Sequence, residues 1–193
     1  RLAVLPRNDD RSSRLPARRR ARFEQHLRQN LAEARQRLAA GDAGEPRYSE
    51  PAVDTPSSAT QAAERQLLGA GCGACRGQCC RTGGDHAYNS ADTMMQYLQL
   101  HTGHDDDTIV SRYLSRIGQR TMTRGCVYQQ EDGCSLPRDL RSDVCNRFYC
   151  DGLRMIRHQF VDGDPVRAYF VHERDQRLVG GKFVEVPTLP VVR

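Results

Sequence analysis

At 193 residues and 38% hydrophobic composition, the chain is long enough for one domain with a tail or two very small ones, with a modest core. No run approaches the roughly 18 apolar residues of a membrane span, and no charged-then-apolar start resembles a secretory leader, although a start at Arg1 leaves room for a segment upstream. The net charge of +5 belongs to the first forty residues, which carry +7 against −2 for the rest.

Residues 1–16, polar and basic with Pro6 and Pro16, read as disordered. From Ala17 to Ala40 an apolar stripe of Phe23, Leu27, Leu31, Ala34 and Leu38 recurs at helical steps, and Gly41 supplies a stop. Residues 41–60, with three prolines and small polar residues, read as a linker. Residues 59–70 form a short helix leading into Gly71. Ser90 is placed to cap a helix carrying Met94, Met95, Tyr97 and Leu98 that ends by Gly103. The run Asp105-Asp106-Asp107 opens a second helix with Ile109, Val110, Tyr113 and Leu114. Cys126–Gln129 and Cys134–Leu136 read as a hairpin joined across Asp132-Gly133. Residues 139–150 suit a last helix, while Val166–His172 and Phe183–Val186 alternate as strands flanking a turn-rich middle that contains Gly180-Gly181. There is no internal repeat.

The cysteines are confined to residues 72–150. They are spaced Cys72-x2-Cys75-x3-Cys79-Cys80, then, after a long gap, Cys126-x7-Cys134-x10-Cys145-x4-Cys150. A CxxC pair lets two thiolates converge on one ion across a tight turn, and the surrounding glycines permit the bends. Iron–sulfur clusters use similarly close thiolate spacings. The later group is too spread to form a compact loop site alone, so it is expected to fold back and complete what the early cysteines begin. Adjacent Cys79 and Cys80 suit one ion poorly, which points to two four-ligand sites or to one site plus thiols with another task. His86, His101, His104 and His172 could substitute as ligands, but a lone histidine is more often an ordinary surface or core residue. Four disulfides, buried inert thiols and a redox switch are competing readings; none accounts as well for eight clustered cysteines without an export signal.

The segment from Cys72 to Cys150 resembles the CxxCxxCC-type cysteine-cluster family of zinc- or iron-chelating domains. The likeness rests on CGACRGQCC, a helical middle, Gly125-Cys126, Gly133-Cys134 and Cys145-Asn146-Arg147-Phe148. It departs from that pattern in having three residues between Cys75 and Cys79, and Arg141-Ser142 where Arg-Pro is usual. The resemblance implies that zinc or an iron–sulfur cluster is bound through Cys72, Cys75, Cys79, Cys80, Cys126, Cys134, Cys145 and Cys150. Some flagellin lysine methylases are similar and carry a cluster, which implies an iron–sulfur-dependent protein or RNA modification enzyme as the alternative.

In the basic segment, Arg18, Arg19, Arg20 and Arg22 are candidates for contact with RNA phosphates or another protein. Against that stands a composition of 28 arginines and one lysine, Lys182, and no RNA-reading aromatic motif accompanies the charge. The Asp105–Asp107 run could hold a hard cation, though acidic residues at a helix start are ordinarily capping groups. No nucleophile elbow, phosphate-binding glycine loop or HExxH appears.

The expectation is an α+β protein: a small, irregular, metal-stabilised cysteine-rich domain with short helices and hairpins, preceded by a basic helical arm. Residues 1–58 make the arm, helix and linker, and residues 59–193 the cysteine domain with its C-terminal hairpin. Ligand thiolates must stay reduced, which suits the cytoplasm.

Overall fold

The computed structural model describes residues 1–44 and 58–187, and within them the chain is α+β. The linker expected over 41–60 lies mostly outside the described residues. The chain divides into two units, each assembled from separate stretches of sequence: residues 1–9, 50–78 and 149–193, and residues 10–49 and 79–148.

The first unit is a three-stranded sheet covered on one face. Strand β1 (Leu2–Pro6) runs parallel to β6 (Val166–Arg174), which pairs antiparallel with β7 (Arg177–Val186). Alternation buries Ala3, Leu5, Val166, Ala168 and Phe170 beneath helices α2 (Ser58–Ala74) and α6 (Asp151–Ile156), which contribute Leu67, Leu68, Leu153 and Ile156. Two glycines set the helix–sheet distance. A Cβ on Gly152 would fall 1.9 Å from the Val4 carbonyl oxygen, and one on Gly71 would lie 2.9 Å from the Phe170 ring. The β6–β7 turn is Asp175-Gln176, both at positive φ, as a tight two-residue hairpin requires. Gly180 and Gly181 therefore lie inside β7, not in the turn expected there. The expected disorder of residues 1–16 is also overturned: the LAVLP run alternates as a strand, and its pairing partner is at the far end of the sequence.

In the second unit, α1 (Ala17–Ala39) buries Phe23, Leu27, Leu31 and Ala34 against α3 (Ala91–Leu100) and α4 (Asp106–Leu114). The helical segment is thus part of a folded unit and not a separate arm. Its core partners include Met94, Tyr113 and Tyr128, with the Phe23 and Tyr128 rings edge to face at 5.3 Å. Gly41 ends the helix at φ +82°, and the Asp42 amide returns to the Arg37 carbonyl at 3.0 Å. Ser90 and Asp105 cap α3 and α4 as expected, accepting from the Thr93 and Thr108 amides at 3.3 and 2.7 Å. Strands β2 (Ser12–Arg14) and β3 (Arg120–Met122) pair antiparallel. The hairpin forms from β4 (Gln129–Gln130) and β5 (Gly133–Cys134), just ahead of the position expected for its second strand. The single helix expected over 139–150 is instead a 3-10 turn (Arg138–Leu140) and a short helix α5 (Asp143–Arg147), with α6 following in the first unit.

Candidate metal centre

Five of the eight cysteines lie in the second unit, on three stretches that the fold draws together. Cys79 and Cys80 sit on a 3-10 helix (Gln78–Gly83). It is tied to the loop before β4, where the Cys126 amide donates to the Cys80 carbonyl at 3.1 Å and the Val127 amide to Gly84 at 3.0 Å. Gly83 permits this approach, since a Cβ there would stand 3.1 Å from the Cys126 Cβ. Cys134 is on β5, paired with Gln129. Cys145 is on α5, where its amide donates to the capping Ser142 hydroxyl at 3.4 Å. Arg141 joins the last two stretches, donating to the Leu136 and Cys134 carbonyls at 2.6 and 3.3 Å.

Four of these thiols are displaced from the ordinary thiol range. The Cys80 thiol donates to the Cys79 sulfur and draws Cys79 down to about 7. That same bond, then burial and the charges of Cys79, Cys126 and Cys134, drives Cys80 far up. Burial pushes Cys126 up to about 12, with Cys134 and Cys145 adding to the shift, while the Tyr128 amide donated to its sulfur and the Arg19 charge oppose it. Cys145 is raised by burial and by Cys134 and Cys79, against Ser142 and Arg141. The geometric links between the stretches are the Cys126 amide on the Cys80 carbonyl and Arg141 on the Cys134 carbonyl. A cation there would oppose the upward shifts of Cys80, Cys126 and Cys145 and favour the Cys79 thiolate further.

As a donor set the group suits a thiophilic metal: several sulfurs, partly buried, with backbone N–H groups donated to Cys79 and Cys126. Among the described residues, however, no three Cys, His, Asp or Glu side chains already stand in a geometry that encloses an ion. No disulfide links any of the eight cysteines.

The other three cysteines belong to the first unit and pack on its apolar cluster. Cys72 ends up inside α2, and Cys75 follows it through a turn with Arg76 and Gly77 at positive φ. The Cys75 thiol donates to the Cys72 carbonyl at 3.3 Å. Cys150 directly precedes α6. The eight cysteines are thus divided five and three between the units.

Three of the four candidate RNA contacts are engaged within the second unit. Arg19 bonds Asp85 and the Gly125 carbonyl, Arg20 the Leu114 carbonyl at 3.2 Å, and Arg22 Asp85 at 2.8 Å. Arg18 is exposed. The acidic run is likewise accounted for: Asp105 caps α4, Asp106 meets Arg35 at 2.6 Å, and Asp107 meets Arg28 at 2.9 Å. His101 and His104 stack on each other, with the Tyr97 hydroxyl 3.0 Å from His104 Nδ1. His86 Nδ1 accepts from the Tyr88 amide.

The sequence did not single out the supports of the thiol group: Ser142, Arg141, and the buried Asp10 that holds Arg81 of the 3-10 helix and Arg124 beyond β3. Ser142 carried a usable signal, a serine three residues before Cys145 at a helix start. Arg141 and Asp10 carried none, because their partners are backbone carbonyls or distant arginines.

Compared with family models, with curated proteins and with solved structures, the chain matches none. Among the described residues no helix is long and apolar enough to cross a membrane.

Proposed function

We propose that the chain is a metal-binding cysteine-cluster protein whose second unit takes a thiophilic metal, zinc or an iron–sulfur centre, through thiolates drawn from Cys79, Cys80, Cys126, Cys134 and Cys145. One observation carries the reading: hydrogen bonds tie the thiol-bearing stretches together, the Cys126 amide to the Cys80 carbonyl at 3.1 Å and Arg141, beside α5, to the Cys134 carbonyl at 3.3 Å. Cys72, Cys75 and Cys150, the remaining candidate donors, belong to the first unit. The motif order shared with CxxCxxCC-type cysteine-cluster domains supports the same chemistry. A reducing compartment such as the cytoplasm keeps such thiols available, and metal binding then releases protons from the groups whose titration is raised.

The test is elemental analysis of protein purified without oxygen, with both zinc and iron supplied. Zinc in a colourless protein, or iron with charge-transfer absorption that dithionite bleaches, supports the reading and selects the metal. Single replacements of Cys126 and Cys134 by serine are expected to lower the bound metal at least several-fold. Full-length protein that is metal-free under these conditions, with its thiols all titratable by a disulfide reagent, overturns it.

A further inference from the structure

Beyond the C-terminal end of α2, within the first unit, the covered face of the sheet forms one wall of an open cavity of about 620 Å³. Its charged lining is Arg7, Arg76, Arg174 and Lys182 against a single carboxylate, Asp9, with His172 between them. Asp9 is shared, lying 2.7 Å from Arg174 and 3.4 Å from Arg7. The cavity therefore keeps an excess of positive charge, and one carboxylate fixes the position of two guanidinium groups.

His172 holds Arg7 from the other side. The Arg7 guanidinium is 3.1 Å from His172 Nδ1, and since a guanidinium only donates, Nδ1 accepts and the ring is neutral with its proton on Nε2. That ring is 5% exposed, and its Nε2 is buried with no partner among the described residues. Burial in front of Arg7 and Lys182 gives the ring no reason to add a further charge. Arg7 is thus oriented by Asp9 and His172 together, a level of support that an ordinary surface arginine lacks.

Two further features open the cavity to an anion. Five of the carbonyls around the end of α2, which would repel one, are already engaged: Gly71, Cys72 and Gly73 accept from the following turn, while Cys75 and Arg76 accept from the Asn8 amide and side chain. Gly180 lies opposite His172 in the strand register, so no side chain projects over the ring there. Lys182 is the one lysine in a chain of 28 arginines, and no carboxylate lies within ion-pair distance of it among the described residues.

We propose that this cavity binds the phosphate group of a small phosphate ester. Guanidinium forks match phosphate oxygens in pairs, and lysine adds a mobile point charge. The volume falls within the roughly 300–1,000 Å³ of small-molecule sites, which leaves room for the body of the ester beside its phosphate. A nucleic-acid backbone offers the same chemical group, and the experiment separates the two sources.

Full-length protein is titrated by calorimetry with inorganic phosphate, with adenosine monophosphate, and with a single-stranded oligonucleotide lacking terminal phosphates. Saturable one-to-one binding of the first two, each displacing the other, is expected. Lys182→Gln and Arg76→Gln should each weaken it about tenfold, equivalent to about 1.4 kcal/mol. Lys182→Arg should retain binding, and melting temperatures measured without phosphate should match the parent, which separates lost binding from lost folding. An oligonucleotide that displaces adenosine monophosphate, with affinity falling in the same variants, assigns the cavity to a nucleic-acid backbone and overturns the small-ester proposal. Absence of saturable binding, or binding indifferent to Lys182→Gln and Arg76→Gln, overturns the site itself.

Discussion

Cys79 and Cys80 are adjacent in sequence, yet their protons are held with opposite strength. One thiol donates to the other, so the acceptor is stabilised as a thiolate and the donor is not. Cys79 is also exposed, whereas Cys126 is buried. In metal-free protein, alkylation by iodoacetamide should therefore begin at Cys79, with a rate midpoint near pH 7, while Cys126 stays unreactive well into the alkaline range. Peptide mass spectrometry across a pH series reads this directly, and equal labelling of the two at pH 7 would contradict it. Metal should suppress the Cys79 reaction if Cys79 is a ligand. His172 gives a second prediction at this scale. Burial first, then Arg7 and Lys182, hold its folded value below the ordinary 6.5. Asp9 is the carboxylate near these cations, and Arg174 completes the charged surroundings. The unfolded chain then binds the proton more readily, so the stability tied to this ring is fully present above about pH 6.5 and is lost as pH falls toward the folded value. His172→Gln should flatten that limb of the stability–pH curve, and an unchanged slope would show that other groups cause it.

At the scale of elements, the apolar stripe of α1 decides how the basic segment behaves. A stripe of Phe23, Leu27, Leu31 and Ala34 on a helix rich in arginine fits either a solvated arm or a docked helix, and the pattern is identical in both cases. The docked arrangement brings fully buried side chains and an aromatic pair, and its arginines find Asp85, Asp106, Asp107 and Asp92 around the rim. Phe23→Ala should cost roughly 3–5 kcal/mol in urea unfolding, as large-to-small changes in a packed core do. Arg18→Ala, at an exposed position, should leave stability within experimental error. Near-equal effects would mean that the helix is not docked. The same reasoning explains what was legible in the sequence. Helices defined by local signals, with Ser90, Asp105 and Gly41 as punctuation, were readable to within a few residues, as was the hairpin bearing Cys134. Strand β1 was not, because five residues ending in proline carry too little local preference and are specified by β6. The confinement of all eight cysteines to residues 72–150 was readable from the sequence. The grouping of the cysteines was not, since Cys72 and Cys79 are close in sequence yet belong to different units.

For the molecule as a whole, the consequence of this topology is that chain order and unit membership are interleaved. The first unit closes only when the start of the chain pairs with a strand near its end: Leu2 faces Tyr169 and Leu5 faces His172 in a parallel ladder. Such pairing must bring distant residues together before any contact repays the loss of chain entropy, so it is expected to form late in folding. It also makes the first six residues structural. They bury Ala3 and Leu5, shield one edge of β6, and carry the Arg1 carbonyl that accepts from the Tyr169 amide at 2.9 Å. Deleting residues 1–6 removes one buried leucine, worth roughly 1.5–3 kcal/mol, together with a full set of ladder hydrogen bonds. Hydrogen exchange by mass spectrometry should then show β6 amides losing protection by at least tenfold, while those of α3 and α4 in the second unit keep theirs. Tyr169 is the most informative reporter, since its amide loses its carbonyl partner outright. A truncated chain with unchanged protection across β6 would mean that the parallel strand contributes nothing to the unit, whereas loss of protection in both units together would show that they unfold as one.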